Sequence, residues 1–427
     1  MPCLFISVVV TMPKFNLFSK YASLWSYFES GKKKQMAEQL PPLPRSRKLL
    51  DKWVNERWAI LSNKTDREQL LDTTTEANMM CYKNNIEHFI GTVKIPVGIA
   101  GPLTINGDHA HGDYYIPLAT TEAALVASYH RGALLCQKAG GVTTAIIDEG
   151  VTRTPCFAFA TVKDAKTFVS WLSDQYEKFN TLVTESSRFA KLKDIHPHIE
   201  ANYVYVVCEF LTGDASGQNM VTFATDAIYR YILAHMPTTP TAAFLDGNLS
   251  GDKKPNHHTL RSVRGKKIVA EVVIPSHLVA KQLHTTVDKM LTFSDMTSLG
   301  AKLSGAIGIN AHFANALAAL YIACGQDAAC VAESAVGVTR FSKTHDGDLY
   351  ASVTLPNIMV GTVGGGTHLP SQKACLDILG LAGPGHAHTL AEVVAATCLA
   401  GELSIVGAFC AEHFSRAHNK LARQTHS

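Results

Sequence analysis

From Thr389 to about Lys420 the sequence reads as one long helix that is apolar on every side through most of its length. A helix of that kind has no face to give to water and must be surrounded by protein or lipid. Glu392, Glu402 and Glu412 interrupt it. Carboxylates spread along a bilayer span are costly, so the run is a buried core helix. Thr389-x-x-Glu392 has the spacing of a capping box at its start. With the strands read elsewhere along the chain, the fold class expected is α+β, with a large domain of helices and sheet built around this central helix.

The rest of the composition permits such a core. Hydrophobic residues make up 46% of the 427 and charged residues 18%, which excludes wholesale disorder. The length suggests two or three domains. Net charge is +3, and no basic tract is longer than Lys32 to Lys34. That argues against a dedicated nucleic-acid binder and leaves room for a local basic pocket for a phosphorylated ligand. The ten cysteines are scattered without CxxC spacing, as free thiols in a reducing, cytoplasmic compartment are. The apolar stretch Leu4 to Met12 is too short to cross a bilayer and has no basic stretch before it, so it is not a signal peptide. It is a frayed or docked end, or it precedes a start at Met12.

Residues 1–50 read as an extension and linker, with PPLPR at Pro41 to Arg45. Residues 51–154 open a large domain with charged amphipathic helices. Short strands and tight turns follow between Asn84 and Glu122, where glycine and proline punctuate β-branched runs. Thr120 and Thr121 are N-cap candidates for a helix that begins at Glu122 and ends at Gly140. Residues 155–245 have their own rhythm: CFAFATVK as a strand, DAKTFVSWLSDQYEKFN as one helix, a weak strand near Ser187, NYVYVVCEFL as a strand, then a helix from Gln218 and a last strand TAAFL. That β-α-β-β-α-β order describes a small inserted domain. Residues 246–427 return to the large domain. There KKIVAEVVIP and the run from Leu349 are strands, and Leu303 to Gly325 is one long small-residue helix.

A few polar residues stand where the pattern is apolar or sharply turned. LDGNLSGDKKP (Leu245 to Pro255) combines glycines with two lysines before a proline, so it is either a solvated turn or a shaped loop presenting Lys253 and Lys254. Glu122 is either an ordinary first-turn acid or a placed carboxylate. Asp327 is either a turn residue or a site residue, and His418 either complements its helix dipole or acts in a site. GTVGGGT (Gly361 to Thr367), with Gly364 and Gly365 at its centre, is a backbone nest for phosphate or a flexible turn. Neither GxGxxG nor GxxxxGK occurs, so no Rossmann or P-loop site is supported. Histidine pairs at His109/His111, His257/His258 and His386/His388 lack acidic or cysteine partners at standard spacing, and no metal is expected.

Taken together, IPVGIAGPL (Ile95 to Leu103), ATTEAALVAS (Ala119 to Ser128), GDASGQNM (Gly213 to Met220), DKKP, YIACGQDAA (Tyr321 to Ala329) and GTVGGGT resemble, in order, the catalytic portion of the 3-hydroxy-3-methylglutaryl-coenzyme A reductase family. DKKP points to its class I branch, and the resemblance covers roughly residues 80–420. It implies reduction of the thioester to mevalonate and free coenzyme A by two successive hydride transfers, hence two NADPH. Lys253 matches the family's catalytic lysine, Glu122 its proton donor, Asp327 the aspartate coupled to both, and His418 the histidine that protonates the departing thiolate. Arg153, Ser128, Asn248, Lys254 and Asn315 match acyl-side positions. Ser187, Arg188 and Phe189 match the segment near the adenosine 2'-phosphate. Asp214, Ala215, Gly217 and Asn219 match the cofactor loop, and Gly364 and Gly365 join them. The resemblance also implies a ferredoxin-like NADPH domain at 155–245 and a homodimer with interfacial sites, in some members paired into tetramers.

The chain departs from the family pattern in four places. No sterol-responsive membrane region is visible. Asp246 stands where a serine is common, Met296 stands nearest to a substrate lysine, and the cofactor loop reads SGQN for MGMN. Asp246 and the missing lysine should weaken binding of an acidic ligand by Coulomb repulsion. The competing readings are therefore a mevalonate-forming reductase, a reductase retuned for another acyl-CoA, and a catalytically weak homologue that binds coenzyme A or nucleotide as a regulator.

Overall fold

The computed structural model describes residues 41–61 and 66–412. They fall into two compact units, one within residues 1–67 and 87–90, the other within 68–86 and 91–427. In the smaller unit, helix α1 (Asp51–Ile60) buries Arg57, whose guanidinium donates to the carbonyls of Ser46, Lys48 and Phe89 at 2.7, 3.1 and 3.0 Å. Trp58 Nε1 donates to the Ile90 carbonyl at 2.9 Å.

The larger unit is organised by one sheet. β1 (Val97–Gly107) and β2 (His111–Ala119) form an antiparallel hairpin, longer than the short strands the punctuation suggests. Helix α2 (Leu125–Lys138) leads to β3 (Val142–Arg153). Then come β4 (Cys156–Ala158), β5 (Lys191–Glu200), β6 (Tyr203–Leu211), β7 (Ala242–Phe244), β8 (Gly265–Ile274), β9 (Val338–Lys343) and β10 (Leu349–Ile358). The order is β7-β4-β6-β3-β8-β10-β9, with β1 also on β3 and β5 also on β6. The β1–β3 pair is parallel and the rest are antiparallel. The fold is α+β.

β3 joins the two halves of this sheet. Its residues 143–150 pair with β8, while Val151, Thr152 and Arg153 pair with β6. Within 155–245 the strands lie in the order β7-β4-β6-β5. The single helix expected there is two, α3 (Val162–Leu172) and α4 (Tyr176–Ser186), broken at Ser173 to Gln175. The first strand keeps only three residues. The weak strand near Ser187 lies instead at β5, ten residues long and mostly exposed. Asp194, His196, Pro197 and His198 hide its alternation, and an edge strand tolerates such residues, proline included. Helix α5 (Gln218–His235) completes this segment.

The small-residue helix expected from Leu303 to Gly325 begins only at Phe313, and Leu303 and Ser304 end an earlier helix. α6 (Val287–Ser304) ends at Gly305, which has φ 73°, and α7 (Phe313–Ala323) starts after a turn containing Gly308 at φ 89°. A Cβ on Gly308 would stand 2.4 Å from the Gly337 carbonyl oxygen, so glycine is required there. Helix α8 (Pro370–Leu379) precedes the central helix, α9 (Ala387–Cys410).

α9 packs on β8, β10 and β3 and against α2 and α7, and almost every one of its 24 residues is buried. Each large apolar side chain so buried contributes about 1.5–3 kcal/mol. Among the described residues it is the one helix apolar and long enough to cross a membrane, and 94% of its apolar window is buried in protein. It ends at Cys410, short of Lys420, with Glu412 at φ 58°. The capping box does not form. Thr389 donates to the His109 carbonyl, and Glu392 accepts the N–H groups of Asp108, His109 and Ala110 at 3.2, 3.1 and 2.7 Å. The cap comes from a distant loop: Asp214 accepts from Gly385 N at 2.7 Å and Ala387 N at 3.2 Å.

Candidate active site

Two clefts in the larger unit collect most of the residues singled out above. The first is lined by Lys253, by 325–328 after α7, by the start of α5 with its preceding loop 215–217, and by the glycine loop 361–367. Lys253 Nζ lies 2.9 Å from Asp327 Oδ2. That hydrogen bond raises the lysine pKa above its ordinary value against the opposing effect of partial burial, so the ammonium persists. Asp327 uses its other oxygen to accept from Ala329 N.

Lys253 has φ 57°, an uncommon conformation for a residue with a side chain. Buried charge holds it there. Its own N–H donates to Glu333 Oε2 at 3.2 Å. The Arg264 guanidinium, fully buried, donates to Glu333 (2.7 Å), Asp252 (2.7 Å), Gln218 (2.9 Å) and the Thr152 carbonyl (2.7 Å). Asp252 also meets Arg153, whose NH1 lies 3.3 Å from Asp252 and 2.6 Å from Asp246. Burial alone would push the Asp252 carboxyl up, but Arg264 and Arg153 outweigh it and hold it below the ordinary value. Burial wins at Glu333, whose pKa is raised despite Arg264. Sequence reading missed Arg264 and Glu333. Glu333 shows only as a lone charge beside an apolar run in CVAES, and Arg264 is hidden among the cations of SVRGKK.

The glycines of this cleft allow backbone to pass backbone. A Cβ on Gly325 would lie 2.4 Å from the Gly366 oxygen, and one on Gly217, at φ 82°, would lie 2.2 Å from Thr212 Cγ2. Asp214 ties the loops together, since its carbonyl accepts from Thr362 N at 2.9 Å while its carboxylate caps α9. Gly364 and Gly365 both have positive φ and stand open at the rim. Asn219 is exposed in the first turn of α5 and Ala215 lines the wall.

The second cleft is lined by Glu122, Ser128, Arg131, His312, Asn315 and apolar residues of α2 and α9. Asn315 Nδ2 donates to Glu122 Oε2 at 2.9 Å. Glu122 does not begin the helix as expected: Ala124 has φ 70° and α2 starts at Leu125. Glu122 therefore lies before the helix on an exposed turn, where Thr120 Oγ1 accepts its N–H. Ser128 Oγ is 2.9 Å from Ser404 Oγ, and Arg131 donates to the same hydroxyl at 3.0 Å and to the Ser404 carbonyl at 2.8 Å. One turn of α9, carrying Glu402 and Ser404, thus anchors these polar contacts. Glu402 accepts from Ala311 N, His312 N and Thr339 Oγ1, which fixes the start of α7 and with it Asn315. Burial raises the Glu402 pKa. Glu402 was legible only as an interruption in an apolar helix, and Ser404 not at all.

A scan of protein families matches residues 53–423 to the family described as hydroxymethylglutaryl-coenzyme A reductase. Among curated relatives, the 3-hydroxy-3-methylglutaryl-coenzyme A reductase of Pyrococcus horikoshii is 44% identical over 346 residues, 79% of this chain and 84% of that protein. The reductase of Aeropyrum pernix is 45% identical over 348 residues, 80% and 82% of the two chains.

The chain belongs to the hydroxymethylglutaryl-coenzyme A reductase family.

A solved structure of the class II reductase from Streptococcus pneumoniae, bound to NADPH, has the same fold, with a TM-score of 0.64 at 17% identity over 82% of this chain and 98% of that one. Within this reductase-family chain, the sequence-derived residues do not all meet. Lys253 and Asp327 share one cleft, while Glu122, Ser128 and Asn315 line the other. Lys254 folds back, its Nζ donating to the Asp252 carbonyl at 2.9 Å. Asn248, at φ 63°, donates its N–H to Asp246 Oδ1 at 2.8 Å and shapes the same loop. Ser187, Arg188 and Phe189 follow α4, away from both linings. Ser187 Oγ accepts from Phe189 N and Ala190 N, and the Arg188 guanidinium lies 5.8 Å from the exposed Phe189 ring. Met296 is exposed on α6. His418 lies outside the described residues. His109 stacks on His388 with ring centroids 4.8 Å apart, and His388 Nε2 is 2.8 Å from Glu149. Among the described residues no three potential metal ligands cluster.

Proposed function

We propose that the chain reduces 3-hydroxy-3-methylglutaryl-coenzyme A to mevalonate and free coenzyme A, the committed chemistry of isoprenoid supply, with NADPH as reductant. The observation that carries this reading is the Lys253–Asp327 pair, a persistent cation in a cleft walled by glycine loops. The residues present suit the dinucleotide. Close-packed glycines leave backbone, not side chains, on the wall, and an exposed guanidinium at Arg188 suits a 2'-phosphate. Ser187, Arg188 and Phe189 would hold the adenosine end, and Asp214, Ala215, Gly217, Asn219, Gly364 and Gly365 the remainder. Bound NADPH supplies hydride, and the change from thioester to primary alcohol consumes two.

Lys253 steadies the negative charge that develops on the carbonyl oxygen, and Asp327 holds its ammonium in place. Glu122 gives a proton at the aldehyde stage, oriented by the Asn315 amide. His418 protonates the leaving thiolate. Arg153, Ser128, Asn248, Lys254 and Asn315 receive the acyl group. No metal takes part in this reading.

Residues 155–245 form, on this reading, a ferredoxin-like NADPH domain inserted into a large domain made of 51–154 and 246–427. The strand order β7-β4-β6-β5, all antiparallel, supports it. The DKKP loop keeps the class I reading. The active species is a homodimer, with tetramers as a further assembly, and a second copy brings a Glu122 cleft to a Lys253 cleft. Two observations support that: the two sets line separate clefts of one chain, and Met296, Leu299 and Leu303 expose an apolar stripe on α6. We place the protein in the cytoplasm, away from membrane and nucleic acid.

The test is NADPH oxidation by purified protein with 3-hydroxy-3-methylglutaryl-CoA, with thiol release followed in parallel. Lys253→Ala should lower kcat by about 10²–10³-fold. Full turnover in that variant would refute the assignment, and a folded, NADPH-binding wild type without turnover would refute the function.

A further inference from the structure

We propose that Asp246 competes with the ligand's own carboxylate for Arg153, so that this residue sets the affinity of the chain for acidic acyl thioesters. The inference rests on the reading above, in which Arg153 faces the acyl group. Arg153 is buried, with a side chain only 10% exposed, and its NH1 is already shared by two carboxylates. These two are not equivalent. Asp252 is committed, because its second oxygen is 2.7 Å from the fully buried Arg264 and leaving would strand that charge. Asp246 has a side chain 39% exposed, and its second oxygen accepts only the Asn248 N–H within its own turn. It can swing into water at small cost.

Arg153 Nε is buried without a hydrogen-bond partner among the described residues, so the guanidinium has a donor to spare. It does not have charge to spare. Arg153 and Arg264 are already balanced by Asp246 and Asp252, so a third carboxylate would find no uncompensated cation there while Asp246 is seated. The two lysines of the loop are engaged elsewhere, Lys254 on the Asp252 carbonyl and Lys253 on Asp327. Ligand carboxylate and ionised Asp246 therefore exclude one another at Arg153. The apparent affinity falls by the fraction of molecules in which Asp246 is already seated.

Asp246→Asn separates this competition from loop architecture, because the amide oxygen can still accept the Asn248 N–H while the charge is gone. We expect KM for 3-hydroxy-3-methylglutaryl-CoA to fall about ten-fold in Asp246→Asn, with the effect carried by KM rather than kcat and with KM for NADPH unmoved. Asp246→Glu, which restores the charge, should return KM toward wild type. An unchanged or raised KM in an active Asp246→Asn enzyme overturns the competition and leaves the reductase reading standing. So does a fall in kcat alone, which would assign Asp246 to loop shape. Loss of turnover in wild type and variant alike, with both folded and binding NADPH, removes the reductase reading and this inference with it.

Discussion

Around Lys253 the polar groups are held by charge meeting charge, whereas around Glu122 they are held by hydrogen bonds to uncharged partners and by the close approach of two helices. In the first cleft Arg264, Glu333, Asp252 and Arg153 form a continuous buried network, and the lysine's strained backbone rests on it. In the second, an amide meets the acid at Glu122 and a serine hydroxyl anchors Ser128 and Arg131. The difference suits two tasks. A cation that must stay charged is best fixed by surrounding ions. An acid that must give up and regain a proton is better oriented by an amide, which can donate to the ionised form and, turned over, accept from the neutral one.

The contrast breaks most readily at Arg264. Arg264→Ala strands Glu333 and half of Asp252 in a buried site, and should cost about 3–5 kcal/mol by denaturant unfolding. If stability barely changes, the first cleft is not held by charge. The second cleft should respond to shape instead. Gly132 of α2 lies so close to α9 that a Cβ would stand 1.9 Å from the Ala400 carbonyl oxygen, and Gly401 faces the Tyr129 ring in the same way. Gly132→Ala should push the helices apart, cost about 1–3 kcal/mol, and impair the Ser128 side more than NADPH binding. A neutral result would mean that the helices give way freely and do not set that cleft.

The smallest effect is with pH. Asp252 has a folded pKa below its ordinary value of 3.8. The stability it contributes is therefore fully present above that value and is lost as pH falls through the folded pKa. The stability gap between wild type and Asp252→Asn should be constant near neutrality and shrink below about pH 3.8 in acid titrations followed by circular dichroism. The second cleft offers no comparable ion network, so Gly132→Ala should show a gap that is level with pH. A gap that grows in acid at Asp252→Asn would reverse the assignment.

Much of this was legible residue by residue. The DKKP loop, the glycine run and Asp327 stood out because lysine, glycine and aspartate occupied turns bounded by proline or apolar helix, and the structure brings them to one cleft. β6, β8 and β10 were legible because β-branched, aromatic and other apolar residues outnumber the polar ones along each of them. β5 was not, because an exposed edge strand can carry Asp194, Pro197, two histidines and three further charged residues without penalty. The split between α6 and α7 was hidden too, since Gly305 and Gly308 look like helix-compatible small residues until a left-handed turn is seen. The cap of α9 misled in a different way. Thr389 and Glu392 have capping spacing, but a loop residue, Asp214, takes the orphan N–H groups and frees both for contacts with the β1–β2 turn.

What the sequence determined by itself is the buried central helix, the α+β class and the kinds of residue available for chemistry, because hydrophobic pattern and turn residues act locally. Only the tertiary structure decided which charge meets which. Arg264 and Glu333 lie 69 residues apart, Asp214 and Gly385 171 apart, and Asn315 and Glu122 193 apart. Pairings at that separation depend on strand order and helix crossing, and no periodicity within one segment encodes them.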